Sequence, residues 1–213
     1  MSAQPDNAAS MKNAAHFMKF PSFPIRRLYF GIMGSYLPIA ISIFTLSAHA
    51  ASPDVSARIA TGGIEVDSTV VLPVAPCQAY MMLTDYDELP GFVPGLLKSR
   101  ATRISQNEVM VDQLGQVRVF LFTVKMESTL DMKETPDRRI RFRQVSGDFS
   151  SYGGEWDFSP AHGGTLVAYH ARMTFGPYVP LALAKSVLDK DVTRKFEAIE
   201  RAAVKSRDRL VCS

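Results

Sequence analysis

TLVAYHARMTFGPYVPLALAKSVLDKDVTRKFEAIERAA, residues 165–203, carries two periodicities end to end. Over Thr165–Phe175, residues Val167, Tyr169, Ala171, Met173 and Phe175 fall on one side, the period of two of a half-buried strand. Gly176, Pro177 and Pro180 then interrupt the chain. From Leu181 the apolar spacing becomes three and four, through Ala184, Leu188, Val192, Phe196, Ile199 and Ala203. Lys190, Arg194, Lys195, Glu197, Glu200 and Arg201 occupy much of the remainder. This spacing predicts one long amphipathic helix over 181–210. A single helix of that length has to lay its apolar stripe on another element, and a sheet is the only large partner in view.

The preceding sequence supplies that sheet. His162-Gly163-Gly164 is a turn, and Glu155–Ser159 is a short strand with Trp156 and Phe158 inward. Arg138–Val145 sets Ile140 and Phe142 against Arg139, Arg141 and Arg143 on the other face. The turn Thr135-Pro136-Asp137 separates it from a strand within Val117–Met132, where Val124, Met126, Ser128, Leu130 and Met132 share a face. Glu108–Leu114 is another strand, giving four or five after the first helix. Ile64–Leu72 alternates, with Ile64, Val66, Ser68, Val70 and Leu72 opposed to Glu65, Asp67 and Thr69. Pro76 opens a helix through Leu83. Pro90, Gly91 and Pro94 shorten whatever helix follows, with Phe92 and Leu96 pinning it to the core. Consecutive hairpins predict an antiparallel sheet, so the fold class is α+β.

Residues 1–50 form a separate region. Arg26-Arg27 precede the uncharged run Leu28–Ser47, and Ala48-His49-Ala50 is a small-x-small cleavage site. Positive, apolar, small is the order of a secretory signal. The alternative is an uncleaved anchor over 28–48, since an apolar run of about 20 residues spans a bilayer. Either reading exports the domain, to the periplasm or the outside. Translation from Met18 instead of Met1 would shorten a long leader. Residues 51–63 are small and polar and are expected to be a linker, with the globular domain at 64–210. Four of the 24 basic and one of the 21 acidic residues precede position 50, so Ala51 onward balances at 20 of each. A neutral domain lacks the basic footprint of a nucleic-acid binder. Cys77 and Cys212 are the only cysteines; in an oxidising compartment they pair or remain two thiols.

Pro90-Gly91-Phe92-Val93-Pro94, then Gly147-Asp148-Phe149 with Gly154-Glu155-Trp156-Asp157-Phe158, and Phe196–Ala202 give the chain a family resemblance. Over residues 64–207 it resembles the START-like polyketide cyclase/dehydrase and lipid-transport family. Within it, the chain is similar to the branch of coenzyme-Q-binding and ribosome-association toxin proteins. The resemblance implies a helix-grip fold: a curved antiparallel sheet wrapped around the C-terminal helix, with two short helices after the first strand. The cellular roles of that branch lie in compartments an export signal would bypass. The resemblance therefore implies the fold and a hydrophobic ligand more than either role.

In such a fold the gap between sheet and helix is the expected pocket. Met126, Phe142, Trp156, Phe158, Tyr169, Met173, Leu188 and Val192 are the candidate ligand-binding residues. An apolar cleft with few polar groups suits a quinone, isoprenoid or fatty-acyl ligand. The competing reading is that these side chains meet and fill the core. His170 alternates with Tyr169 and is expected outside the pocket, and His162 sits in a turn. No nucleophile motif, phosphate loop or metal-ligand spacing occurs, so no cofactor and no metal are expected. Arg139, Arg141 and Arg143 are expected to pair with Glu127, Thr129 and Asp131, or to touch phospholipid headgroups at a membrane surface. Asp85, Asp87 and Glu88 are expected to line a solvated loop. These observations favour an exported carrier of a hydrophobic small molecule or lipid. The rivals are a cyclase- or dehydratase-type enzyme and a protein-interaction module with a filled core.

Overall fold

The computed structural model describes residues 52–212. The predicted leader, its cleavage site and the choice of start codon lie outside the described residues. Eight strands form one antiparallel sheet: β1 (Asp54–Ala60), β2 (Gly63–Leu72), β3 (Leu96–Ser105), β4 (Glu108–Val119), β5 (Phe122–Thr135), β6 (Arg139–Gly147), β7 (Ser151–Ala161) and β8 (Gly164–Thr174). Their spatial order is β1-β2-β8-β7-β6-β5-β4-β3. Helix α1 (Pro76–Thr84) and a 3-10 turn at Leu89–Gly91 follow β2, and the helix α2 (Leu181–Ser206) closes the domain against the sheet. This is the helix-grip arrangement.

The alternating strands β2, β6 and β8 and the stripe of α2 stand where the sequence predicts them. Val66, Val70, Val167, Ala171, Phe196 and Ile199 are buried in the core between the sheet and the two helices. The second short helix is only the 3-10 turn, because Pro90 and Pro94 deny it further backbone donors.

Four elements differ from expectation, the first being β4, which continues past Leu114 to Val119 so that the chain reverses at Phe120-Leu121. The expected linker 51–63 contains β1, which pairs with β2 from Asp54↔Thr69 to Ala60↔Gly63. Most of its side chains remain in water, so it carries no apolar pattern; the backbone ladder holds it, and the Ala57 N–H donates to Asp189 Oδ1 of α2 at 3.1 Å. Six strands follow α1, not four or five. The unforeseen one, β3, has no buried residue and carries Lys98, Arg100 and Arg103, as suits an edge strand protected from further pairing. Finally, β7 starts at Ser151, with Gly153 and Gly154 inside it.

Cys77 and Cys212 form a disulfide, with Cα atoms 5.9 Å apart. Gln78 Nε2 donates beside it to the carbonyls of Arg207 (2.8 Å) and Leu210 (2.6 Å), so the tail is strapped to the start of α1. The arginine row of β6 finds most of its partners on β7 and not on β5. Arg141 meets Glu155 at 3.3 Å, and Arg139 bonds Asp157 and meets Glu155 at 3.6 Å. Register explains this: β5 opposes Arg141 with Lys133 and Arg139 with Thr135, leaving only Arg143 to reach Asp131, at 3.5 Å. His170 lies on the outer face, its Nδ1 2.6 Å from Asp67 Oδ1.

Candidate functional site

A cavity of about 220 Å³ lies between the sheet and α2. Two periodicities build its walls. The helix contributes Leu188, Asp191, Val192, Lys195, Phe196 and Ile199, one stripe at spacings of three and four. The sheet contributes alternate residues: Met126, Ser128, Leu130 and Met132 from β5, Ile140 and Phe142 from β6, Tyr152 and Trp156 from β7, Tyr169 and Met173 from β8. Leu83, Tyr86, Leu89 and Val93, from α1 and the turn after it, and Gly95, Leu96, Gly115 and Val117, from β3, β4 and the approach to them, complete the lining.

Seven of the eight candidate residues therefore stand around one cavity: Met126, Phe142, Trp156, Tyr169, Met173, Leu188 and Val192. Phe158 does not. It faces the same side as Trp156 but one row further on, where α1 covers the sheet and Tyr80 packs edge-on against it at 5.9 Å. It is core.

The aromatic wall has a defined origin. Gly154 lies opposite both Phe142 and Ala171 in the sheet. A side chain at Gly154 would run into the His170 carbonyl, Ala171 Cα (2.8 Å) and Phe142 Cζ (2.9 Å). The bare row lets the Phe142 ring lie across it, stacked parallel to Tyr169 at 6.2 Å and edge-on to Tyr152 at 5.0 Å. Trp156 sits between Tyr169 (4.4 Å) and Phe196 of α2 (5.4 Å, 15° between planes).

Of the polar groups of the wall, sequence singled out Tyr169 but not Tyr152, Asp191 or Lys195. The Tyr152 and Tyr169 hydroxyls lie 3.2 Å apart. Burial pushes the Tyr169 phenol well above its ordinary pKa and raises that of Tyr152, so both keep their protons. Two phenols bring two O–H donors, their mutual bond uses one, and the second has no acceptor among the described residues. Asp191 is buried on the cavity stripe and binds Lys195 Nζ at 2.7 Å and Arg194 Nη2 at 3.2 Å. Sequence had set Lys195 on the outer face, yet its position, seven residues after Leu188, belongs to the apolar stripe. Behind Tyr86, Glu134 accepts from Tyr86 (2.8 Å) and Tyr80 (3.3 Å) and meets Arg103 at 3.4 Å. Burial, then the Glu134 charge, raises both phenol pKa values. Only Tyr86 of this group reaches the cavity wall.

A wider open cleft, about 730 Å³, lies between the 3-10 turn and the end of α2. Asp85, Glu88, Arg201, Lys205 and Arg209 on its rim keep it a solvated surface feature. Asp87 instead accepts from the Ala101 N–H at 2.9 Å, docking the loop on β3.

Residues 72–200 match the polyketide cyclase / dehydrase and lipid transport family. The chain belongs to this family. The family description joins polyketide cyclase / dehydrase with lipid transport. Solved structures share the fold at low identity. A STAR-related lipid transfer protein fragment from Xanthomonas axonopodis has a TM-score of 0.62 at 16% identity, covering 73% of this chain and 95% of that one. A protein of Thermus thermophilus gives 0.59 at 18%, covering 67% and 98%. Zhui aromatase/cyclase from Streptomyces sp. R1128 gives 0.57 at 15%, covering 67% and 94%. No curated protein sequence matches the chain. This member of the polyketide cyclase / dehydrase and lipid transport family thus shares its fold with a lipid transfer protein and with a cyclase alike.

Proposed function

We propose that this protein is an exported carrier that holds a hydrophobic, carbonyl-bearing molecule of the quinone or isoprenoid type in the cavity. The observation behind the reading is the phenol pair. A largely apolar chamber in which the phenol pair offers a neutral O–H donor suits a ligand that is greasy except for an acceptor oxygen. At 3.2 Å the bond between the phenols is long for O–H···O, so a ligand oxygen displaces little in competing for it. The cavity falls below the range of about 300–1,000 Å³ typical for drug-sized ligands, so it fits a single ring and leaves a long tail outside. The likeness of the motif residues to the coenzyme-Q-binding branch supports the same choice. Export is supported by Arg26-Arg27, the apolar run, Ala48-His49-Ala50 and the Cys77–Cys212 disulfide, since disulfides persist in oxidising compartments.

The test is a titration of Trp156, the only tryptophan. A short-chain benzoquinone should quench it and bind up to about tenfold more tightly than the matching alkylbenzene, the gain of one hydrogen bond. Tyr152→Phe or Tyr169→Phe alone leaves one O–H and should keep that preference; the double variant should lose it. No quenching by the quinone and no competition by the hydrocarbon would end the carrier reading. For export, N-terminal sequencing of protein from the cell envelope should find a species starting at Ala51, and a cytosolic, unprocessed chain would refute it.

A second reading has one observation behind it. Asp191 and Lys195 put a carboxylate and an ammonium on the cavity wall, as proton transfer in a cyclase or dehydratase would require. Their 2.7 Å pairing neutralises both, which is why binding leads.

A further inference from the structure

The β4–β5 hairpin reaches past both neighbouring strands. The β3 ladder stops at Leu96↔Gly115 and the β6 ladder at Ser128↔Gly147, so Gln116–Lys125 form a two-stranded ribbon without flanking strands. Such a ribbon gains little from burial. Its tip is nevertheless apolar: Phe120, Leu121 and Phe122 are 80%, 96% and 74% exposed. The reversal is made at Phe120 with φ 53°, a left-handed conformation that glycine takes at lower cost. An aromatic residue there is disfavoured both by backbone sterics and by exposure to water, so folding of this chain does not account for it. Arg118 and Lys125 are exposed behind the tip, and no acidic residue stands between Asp112 and Glu127. The base of the same ribbon is cavity wall, through Gly115, Val117 and Met126. Strand directions bring the β6–β7 loop and the segment Gly176–Pro180, with Tyr178 95% exposed, to this end of the sheet.

We propose that the β4–β5 hairpin inserts its tip into the interface of a bilayer containing anionic lipid, which turns the cavity wall formed by the base of the ribbon toward the membrane. A convex two-residue tip offers no recess to a protein side chain, whereas the headgroup–acyl boundary accepts projecting aromatic and leucine side chains without shape matching. At about 3.4 Å per residue, Arg118 and Lys125 sit roughly 7–14 Å behind the tip, level with headgroup phosphates. The inference goes beyond the ligand reading and needs no ligand. It gives an apolar molecule a route into the cavity that avoids water.

The test uses the full chain carrying Leu121→Trp, with the Trp156 signal of the parent subtracted. Gln106→Trp, in the β3–β4 turn at the opposite end of β4, is the control. Vesicles of phosphatidylcholine and phosphatidylglycerol, with or without brominated acyl chains, are added to both. The Leu121→Trp emission should shift to the blue and be quenched by brominated lipid, and the control should do neither. Pure phosphatidylcholine, or Arg118→Gln with Lys125→Gln, should raise the lipid concentration needed by roughly tenfold. Phe120→Ser with Phe122→Ser should abolish the response, with circular dichroism showing an intact fold. An unshifted, unquenched Leu121→Trp signal in every vesicle overturns the proposal, even where the protein sediments with the vesicles. A blue shift without vesicles that grows with protein concentration assigns the tip to a second copy and overturns it too.

Discussion

Replacing Cys77 and Cys212 together with serine should destabilise the domain by about 2–5 kcal/mol. The two cysteines are 135 residues apart, so the bond closes a loop that contains α1, six strands and all of α2. In the chain-entropy account a long loop restricts the unfolded ensemble most, and the effect grows only slowly with further length. The folded side adds to this. Beyond Ser206 the chain leaves the helix, and its tail is otherwise held by the bonds of Gln78 and by Arg207 donating to the Pro73 carbonyl. With the bond gone, Leu210 would leave its place against the core more readily. The thermal midpoint should fall by roughly 4–20 °C, and reductant added to the unaltered protein should produce the same shift. A wild-type melt indifferent to reductant, with two titratable thiols, would refute the pairing and remove one support for export.

How much could be read from sequence depended on how each element is stabilised. β2, β8 and α2 were legible because burial holds them, and burial leaves a period in the apolar residues. Ile64, Val66, Val70 and Leu72 mark β2, and Val192, Phe196 and Ile199 mark α2. β1 and β3 were not legible. Both are edge strands held mainly by backbone pairing, and hydrogen-bond ladders leave no trace in side-chain type. The β4–β5 reversal was hidden for a different reason. The run Val117–Val124 has no Gly, Pro, Asn or Asp, and the left-handed position falls on Phe120. Of the eight candidates, five strand residues read from alternation and two helix residues read from the spacing of three and four line the cavity, and Phe158 lies outside it because alternation gives the face and not the row. Tyr152 was missed with the start of β7, although it stands four residues before Trp156 and hence on the same face. Asp191 was missed because a carboxylate on an apolar stripe does not register in a count of apolar residues. Its spacing of three from Leu188 was the available signal.

Phe196→Ala should have the largest effect of any single substitution in the cavity wall. Phe196 is 2% exposed and is the point at which α2 meets the aromatic wall, stacked on Trp156 at 5.4 Å and 5.8 Å from Tyr169. Removing the ring takes away its transfer free energy and leaves a void the β-sheet cannot close by itself, for a loss of about 3–5 kcal/mol. The thermal midpoint should drop by roughly 6–20 °C. The void opens into the existing cavity, so under the proposed carrier function the same change should alter ligand preference: a small quinone would lose wall contact and weaken, while a bulkier two-ring quinone would gain room. Trp156 should also become accessible to iodide, since one face of its indole loses its cover. Phe196→Leu keeps most of the buried volume and should lose less stability while retaining preference for the small ring. A Phe196→Ala protein with an unchanged melt and an unchanged Trp156 emission would mean that α2 does not bear on the sheet at this point, and the cavity between them would have to be redrawn.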